Sequence, residues 1–92
     1  MYVAVCRLEL RIPSAHTLKD KRQVIKSILN RIKNRNLSVA ETGLQDFHQR
    51  SEIGFAIVSN DKNIAEDICR RTVDFIEDNY PIEIVSAELE IH

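Results

Sequence analysis

The strongest constraint on this chain is the order in which strand-like and helix-like hydrophobic periods succeed one another along it. Tyr2 to Ile12 alternates strictly, with Tyr2, Ala4, Cys6, Leu8, Leu10 and Ile12 on one face and Val3, Val5, Arg7, Glu9 and Arg11 on the other. A period of two with one apolar face is a half-buried strand, and Pro13 ends it. Thr17 to Arg35 then places Leu18, Val24, Ile25, Ile28, Leu29 and Ile32 at helical spacing. Thr17 with Asp20 forms a capping-box pattern, Asp standing for the usual Glu or Gln, and Asn34 and Asn36 supply stop signals. Leu37 to Leu44 reads as a second, shorter strand and Gln45 to Arg50 as a polar connection. Glu52 to Ser59 is apolar on both faces, the pattern of a central strand. Asn60 or Asp61 caps a second helix running to about Asp78, with Ile64, Ala65, Ile68, Cys69, Thr72, Phe75 and Ile76 as its apolar stripe. Asn79-Tyr80-Pro81 breaks that helix. Ile82 to Ile91 is the last strand, with Val85, Ala87, Leu89 and Ile91 inward and Ser86, Glu88 and Glu90 outward.

Strand, helix, strand, strand, helix, strand, with right-handed crossovers, interleaves best as a ferredoxin-like β-α-β-β-α-β sandwich. This is an α+β fold: a four-stranded antiparallel sheet, its first and third strands in the middle, with two helices on one face. Residues 1–92 are expected to form a single domain whose thin core buries only about 60–65% of the surface of the unfolded chain. The helix-free face of the sheet receives Arg7 and Arg11, which can pair with Glu88 and Glu90 on the adjacent strand. Val3 and Val5 lie on the same face, and this apolar remainder predicts a cover, most simply a second copy in a homodimer.

Composition excludes several classes. No apolar run is long enough to span a membrane. The N-terminus enters a strand carrying Arg7, Glu9 and Arg11 and lacks the uncharged core of a signal peptide, so a cytoplasmic setting and no membrane partner are expected. The two cysteines, Cys6 and Cys69, sit far apart within apolar patterns and read as small core residues, without the spacing of a disulfide framework or a metal site.

The net charge of −1 hides an asymmetry. Residues 1–39 hold nine Lys/Arg against two Asp/Glu, a net +7, while residues 40–92 hold four against twelve, a net −8. The positive excess concentrates on the first helix, in Lys19, Lys21, Arg22, Lys26, Arg31, Lys33 and Arg35, opposed only by Asp20. Such a face can neutralise phosphates, and Lys19, Lys21, Arg22 and Lys26 are the candidate anion or RNA contacts. Basic residues in a first turn oppose the helix dipole, which an anion at the helix N-terminus would relieve. The ordinary reading of the same residues is the solvated face of an amphipathic helix. The connection offers Gln45, Asp46, His48, Gln49 and Arg50, groups suited to specific hydrogen bonds with a base edge or a partner backbone. They suit equally a turn that satisfies its own backbone.

The pattern Thr17-Leu-Lys-Asp-Lys-Arg22, then Ser38-Val-Ala-Glu41, Gln45-Asp46, Gln49-Arg50, and the Gly54-Phe55-Ala56-Ile57-Val58 strand ending in Ser59-Asn60-Asp61, resembles the YlxP-like family over essentially the whole chain. These are small bacterial proteins of unassigned function. The resemblance implies a ferredoxin-like fold. It also implies a setting near translation, since such genes often lie beside those for a translation initiation factor and ribosome-binding factor A. It brings no active site. His48 departs from the family, where an apolar residue is more usual.

Gly54-Phe55-Ala56 also echoes the third-strand motif of an RNA-recognition module, with Tyr2 in the place of its first-strand aromatic. Ile53, Ile57 and Asn60 depart from that motif, and the chain holds only five aromatic residues. His16, His48 and His92 are scattered, no nucleophile triad or glycine-rich phosphate loop appears, and no enzyme, cofactor or metal is expected. Pro13-Ser14-Ala15-His16 lacks the Arg and Gly that the phosphate cradle of an acylphosphatase requires. The leading expectation is a non-enzymatic, translation-associated protein contacting ribosomal RNA or a ribosome-assembly factor through the first helix, with Gln45, Asp46, Gln49 and Arg50 giving selectivity. The alternatives are a homodimeric protein-interaction module without nucleic-acid binding and a small-molecule sensing domain using a dimer cleft.

Overall fold

A computed structural model describes all 92 residues. The elements are β1 (Tyr2–Arg11), α1 (Leu18–Lys33), β2 (Ser38–Gly43), β3 (Arg50–Ser59), α2 (Lys62–Asn79) and β4 (Glu83–Ile91). The strands form one antiparallel sheet in the order β2-β3-β1-β4, the ferredoxin-like arrangement expected from the sequence. Ala4, Cys6, Leu8 and Leu10 of β1 and Ile53 and Phe55 of β3 face the helices. They meet Ile25, Ile28 and Ile32 of α1 and Ala65, Cys69 and Ile76 of α2 to form the core.

The ends of the elements follow from local chemistry. Thr17 caps α1: its Oγ1 accepts from the Asp20 N–H at 3.1 Å, and Asp20 Oδ2 accepts from the Thr17 N–H at 3.2 Å and the His16 N–H at 3.1 Å. The backbone bond from His16, reinforced by Thr17, holds the Asp20 carboxyl below the usual carboxylate range. Thr17→Ala is expected to cost about 1 kcal/mol of stability, read by chemical denaturation. An unchanged midpoint would show that Asp20 caps the helix alone. Asp61 caps α2, its Oδ1 accepting from the N–H groups of Asn63 and Ile64. After α1, Asn36 takes a left-handed φ of 66°, which Asn tolerates better than most residues.

Two bulges decide which side chains face which way. The β1–β4 register slips between Glu9, opposite Ser86, and Leu10, opposite Ile84. Val85 is the extra residue, so it turns outward and is 56% exposed, while Ile84 takes the inward place. The expectation that Val85 faces inward therefore fails, whereas Ala87, Leu89 and Ile91 do lie on the helix side, opposite Leu8, Cys6 and Ala4. In β2 the register slips between Glu41 and Gly43, leaving Thr42 as the extra residue. Thr42 lies over Gly54, where an added Cβ would come within 3.0 Å of the Thr42 methyl, and this explains a glycine in a central strand.

Candidate nucleic-acid interface

The cations of α1 and of the turn after it lie on three surfaces. Lys19, Arg22, Lys26 and Lys33 recur at intervals of three, four and seven residues, form one exposed stripe to one side of the buried Ile25, Ile28 and Ile32, and take part in no ion pair. Asp20, the only acid on the helix, is occupied by the cap. The helix N-terminus is thus already met by a carboxylate, and an incoming anion would find side-chain cations there rather than a vacant set of N–H groups. Arg31 and Arg35 belong to a second surface. Arg31 lies 5.5 Å from the ring centroid of Phe75 and 5.7 Å from that of Tyr80, and Arg35 lies 3.9 Å from that of Phe75. With the 2.9 Å hydrogen bond between the Ser27 and Tyr80 hydroxyls, they knit α1 to the end of α2.

Lys21 corrects the expectation that placed it beside Lys19 and Arg22. Its side chain is fully buried. Its Nζ lies 2.7 Å from Glu41 Oε2 and donates to the carbonyls of Leu44 at 2.9 Å and Gln45 at 3.1 Å, which occupies all three ammonium protons. Ser51 Oγ, also buried, donates to the same Glu41 oxygen at 2.6 Å. The network clamps α1, β2, β3 and the turn after β2 at one end of the sheet, and no phosphate can reach the ammonium. The physical reason is position: Lys21 lies one turn before Ile25 and two before Ile28, on the apolar stripe, and the inward-facing Glu41 meets it there. That spacing was the signal in the sequence, and so was Glu41, two residues after the inward Val39.

The turn itself is mostly engaged in holding its own shape. Leu44 adopts a left-handed φ of 58°, uncommon for a side chain of its size, with its carbonyl aimed at Lys21. Gln45 Nε2 reaches the Glu41 carbonyl at 3.5 Å. Gln49 Nε2 donates to the carbonyls of Ala15 at 3.1 Å and Pro13 at 3.5 Å, tying the turn to the segment before α1. Arg50 bonds Glu9 at 3.2 Å and lies over the Phe47 ring. Asp46, Phe47 and His48 remain exposed at the tip, where Asp46 and His48 make no hydrogen bond or ion pair through their side chains. The structure brings this tip and the start of α1 to the same end of the molecule through the Gln49 and Lys21 bonds.

The helix-free sheet face divides in two. One part is a charge network: Arg7 lies 3.8 Å from Glu52 and 3.9 Å from Glu88, Arg11 pairs with Glu83 at 3.1 Å, and Arg50 pairs with Glu9. The register sets Arg11 beside Glu83, not Glu90, which lies opposite Val5. The other part is apolar, with Val3 opposite Val58 and Val5 opposite Ala56, beside a shallow hollow of about 250 Å³ over Gly54. Phe55 points into the core and Gly54 and Ala56 point out, so the third strand offers no aromatic to stack on a base: the likeness to an RNA-recognition module fails on the parity of the strand.

Cys6 and Cys69 are free thiols buried in the core. Burial, with Cys69 nearby, pushes the Cys6 thiol up to about 11, and burial raises Cys69 as well. Since the thiolate is the nucleophile, alkylation at neutral pH should be slow in the folded protein and should keep pace with unfolding in denaturant. Fast labelling of the native protein would contradict this. No three His, Cys, Asp or Glu side chains come together to hold a metal ion, and no helix is long and apolar enough to cross a membrane.

Fold and surface together define a class: a ferredoxin-like α+β sandwich with a one-sided basic helix and a clamped turn. Residues 3–89 match the family described as "Protein of unknown function (DUF503)", and the chain belongs to that family. It is 39% identical over 80 residues to a Bacillus subtilis (strain 168) protein named "Uncharacterized protein YlxP", covering 86% of each chain. Among solved structures it is similar to the Bacillus subtilis YXEP protein, described as a dinuclear metal binding peptidase from the M20 family. That match has a TM-score of 0.55 and 13% identity, and it takes in 97% of this chain but only 25% of the peptidase. At that identity the likeness concerns the fold alone.

Proposed function

We propose that this protein is a non-catalytic accessory factor of the translation machinery that contacts RNA through phosphates along α1. One observation carries the reading: Lys19, Arg22, Lys26 and Lys33 form a stripe on a rigid helix with no acid within pairing distance. Of the chain's acids, Asp20 caps α1, Glu41 is held by Lys21 and Asp46 lies at the adjoining tip, while the others sit on β1, β3, β4 and α2 with its cap. Four cations on one face suit a backbone-tracking contact, which positions a partner and reads no sequence by itself. The exposed Asp46, Phe47 and His48 at the adjoining tip supply the groups for selectivity, in place of the clamped Gln49 and Arg50. The gene setting of the YlxP-like family makes ribosomal RNA, or a ribosome-assembly factor bound to it, the first partner to try, in the cytoplasm. Co-sedimentation with ribosomal subunits and with free RNA tests this. Association at low salt that falls steeply as salt rises is expected, and no association at low salt would overturn it.

A second reading rests on the sheet face, where Val58 is 62% exposed in an apolar group with Val3, Val5 and Ala56. There the function would be protein interaction in a homodimer formed through that face. Sedimentation at high micromolar concentration should then show a dimer that Val58→Glu abolishes, and a monomer would remove the reading.

A further inference from the structure

The strand order leaves β4 at an edge, and the helix layer covers its two ends, at Ile84 and Ile91, more than its middle. Leu89 is 38% exposed and Ala87 is exposed, although both lie on the face that carries the core. Between α2 and β4 runs an apolar groove of about 320 Å³, with Cys6 and Cys69 at its floor, Val73, Ala87 and Leu89 along its sides and Arg70 and Asp74 on its α2 rim. Along the regular run from Ser86 to Ile91 the strand alternates, Ala87, Leu89 and Ile91 on the grooved face and Ser86, Glu88 and Glu90 on the other.

The one strand that already pairs with β4 shows what chemistry the edge accepts. β1 sets Leu8 and Cys6 beside Ala87 and Leu89, and Arg7 beside Glu88. The opposite side of β4 presents the same alternation with no strand on it, and its acids have capacity to spare. Glu90 has only the neighbouring His92, and Glu88 shares Arg7 with Glu52. A second copy's β4 is a poor occupant, since it would bring Glu88 and Glu90 against their own kind on one face.

We infer that β4 is a docking edge for an extended segment of another protein in which apolar and cationic residues alternate. The segment adds as a fifth strand. Its apolar side chains enter the groove between α2 and β4, its Lys or Arg side chains lie beside Glu88 and Glu90, and its backbone bonds the outward amides and carbonyls of β4. α1 packs at the β2 side of the sheet, so this edge is separate from the basic stripe and does not depend on the RNA reading.

The probe is a labelled nine-residue synthetic peptide alternating Leu or Val with Lys, measured by fluorescence anisotropy against the full chain. A peptide of the same composition in block order, and one N-methylated at every second amide on its pairing edge, should each bind at least 10-fold more weakly. The double variant Glu88→Gln/Glu90→Gln, or Leu89→Ser alone, should cost a similar factor without shifting the melting temperature by more than a few degrees. His92 exchanges both backbone hydrogen bonds with Val3, so the amides of Leu89 and Ile91 alternate outward. These are the amides that should gain protection in hydrogen exchange when the peptide is bound. The inference falls if the alternating peptide binds no tighter than the block-ordered one, or if protection appears away from β4. It falls also if β4 becomes protected with rising protein concentration and no peptide, which would make a second copy the occupant. None of these results bears on RNA association.

Discussion

Lys21→Met should destabilise the protein by about 3–5 kcal/mol, the range for removing one partner of a buried ion pair. The substitution keeps most of the volume and the apolar stem, so a lost cavity contact is not the cause. It strands Glu41, whose side chain is only 18% exposed and whose Oε2 sits between Lys21 Nζ and Ser51 Oγ. It also leaves the Leu44 and Gln45 carbonyls without the donor that holds them. With that donor gone, the left-handed Leu44 is no longer over-determined, and the amides from Gln45 to Gln49 should exchange faster than in the parent. The double variant Lys21→Met/Glu41→Leu removes both charges and should recover much of the loss, because a buried pair replaced by apolar groups is often close to neutral. Chemical denaturation of the parent, both single variants and the double variant closes the cycle. A Lys21→Met protein within about 0.5 kcal/mol of the parent, the range of ordinary surface substitutions, would show that the clamp contributes little.

Reversing Lys19, Arg22, Lys26 and Lys33 to Glu together should lower RNA affinity by about 100-fold or more at low salt, since backbone neutralisation supplies nearly all of a non-specific contact. Each of these side chains is exposed and free of ion pairs, so a single reversal should move stability by no more than about 0.5 kcal/mol. The contrast with Lys21 is diagnostic. Changes at four neighbours on the same helix should alter binding and spare the fold, whereas a change at the fifth should alter the fold. A reversed protein that binds RNA as tightly as its parent would relocate the contact, with the exposed tip at Asp46, Phe47 and His48 next to be tested.

Those two predictions divide along the line between what local pattern determines and what only packing determines. The alternation of β1, the Thr17–Asp20 cap and the apolar stripes of both helices are set by neighbours in sequence, and each element appears within a residue or two of its expected ends. Val85 breaks the pattern because a bulge inserts one residue, and alternation alone cannot say where a strand loses step. Phe55 faces inward because β3 pairs with β1 in one register, a fact of tertiary structure that leaves the short motif around it unchanged. Lys21 is the basic residue whose charge and position point different ways: its spacing to Ile25 and Ile28 puts it on the buried stripe, while its partner Glu41 is 20 residues away in a different element. The basic stripe was legible in composition. Which of its members stand free of a partner was not, because that depends on Phe75 of α2 and Tyr80 just after it meeting Arg31 and Arg35, and on Glu41 meeting Lys21.

The central claim is that α1 meets phosphates, and the most direct measurement is the dependence of RNA affinity on salt for the parent and for Arg22→Gln, Lys26→Gln and Lys33→Gln in turn. Four phosphate contacts predict that the logarithm of affinity falls with the logarithm of salt with a slope of about −3, and each substitution should reduce the steepness by about 1. A slope that none of the substitutions alters, or no measurable RNA affinity at low salt, would contradict the account and leave α1 an ordinary solvated helix.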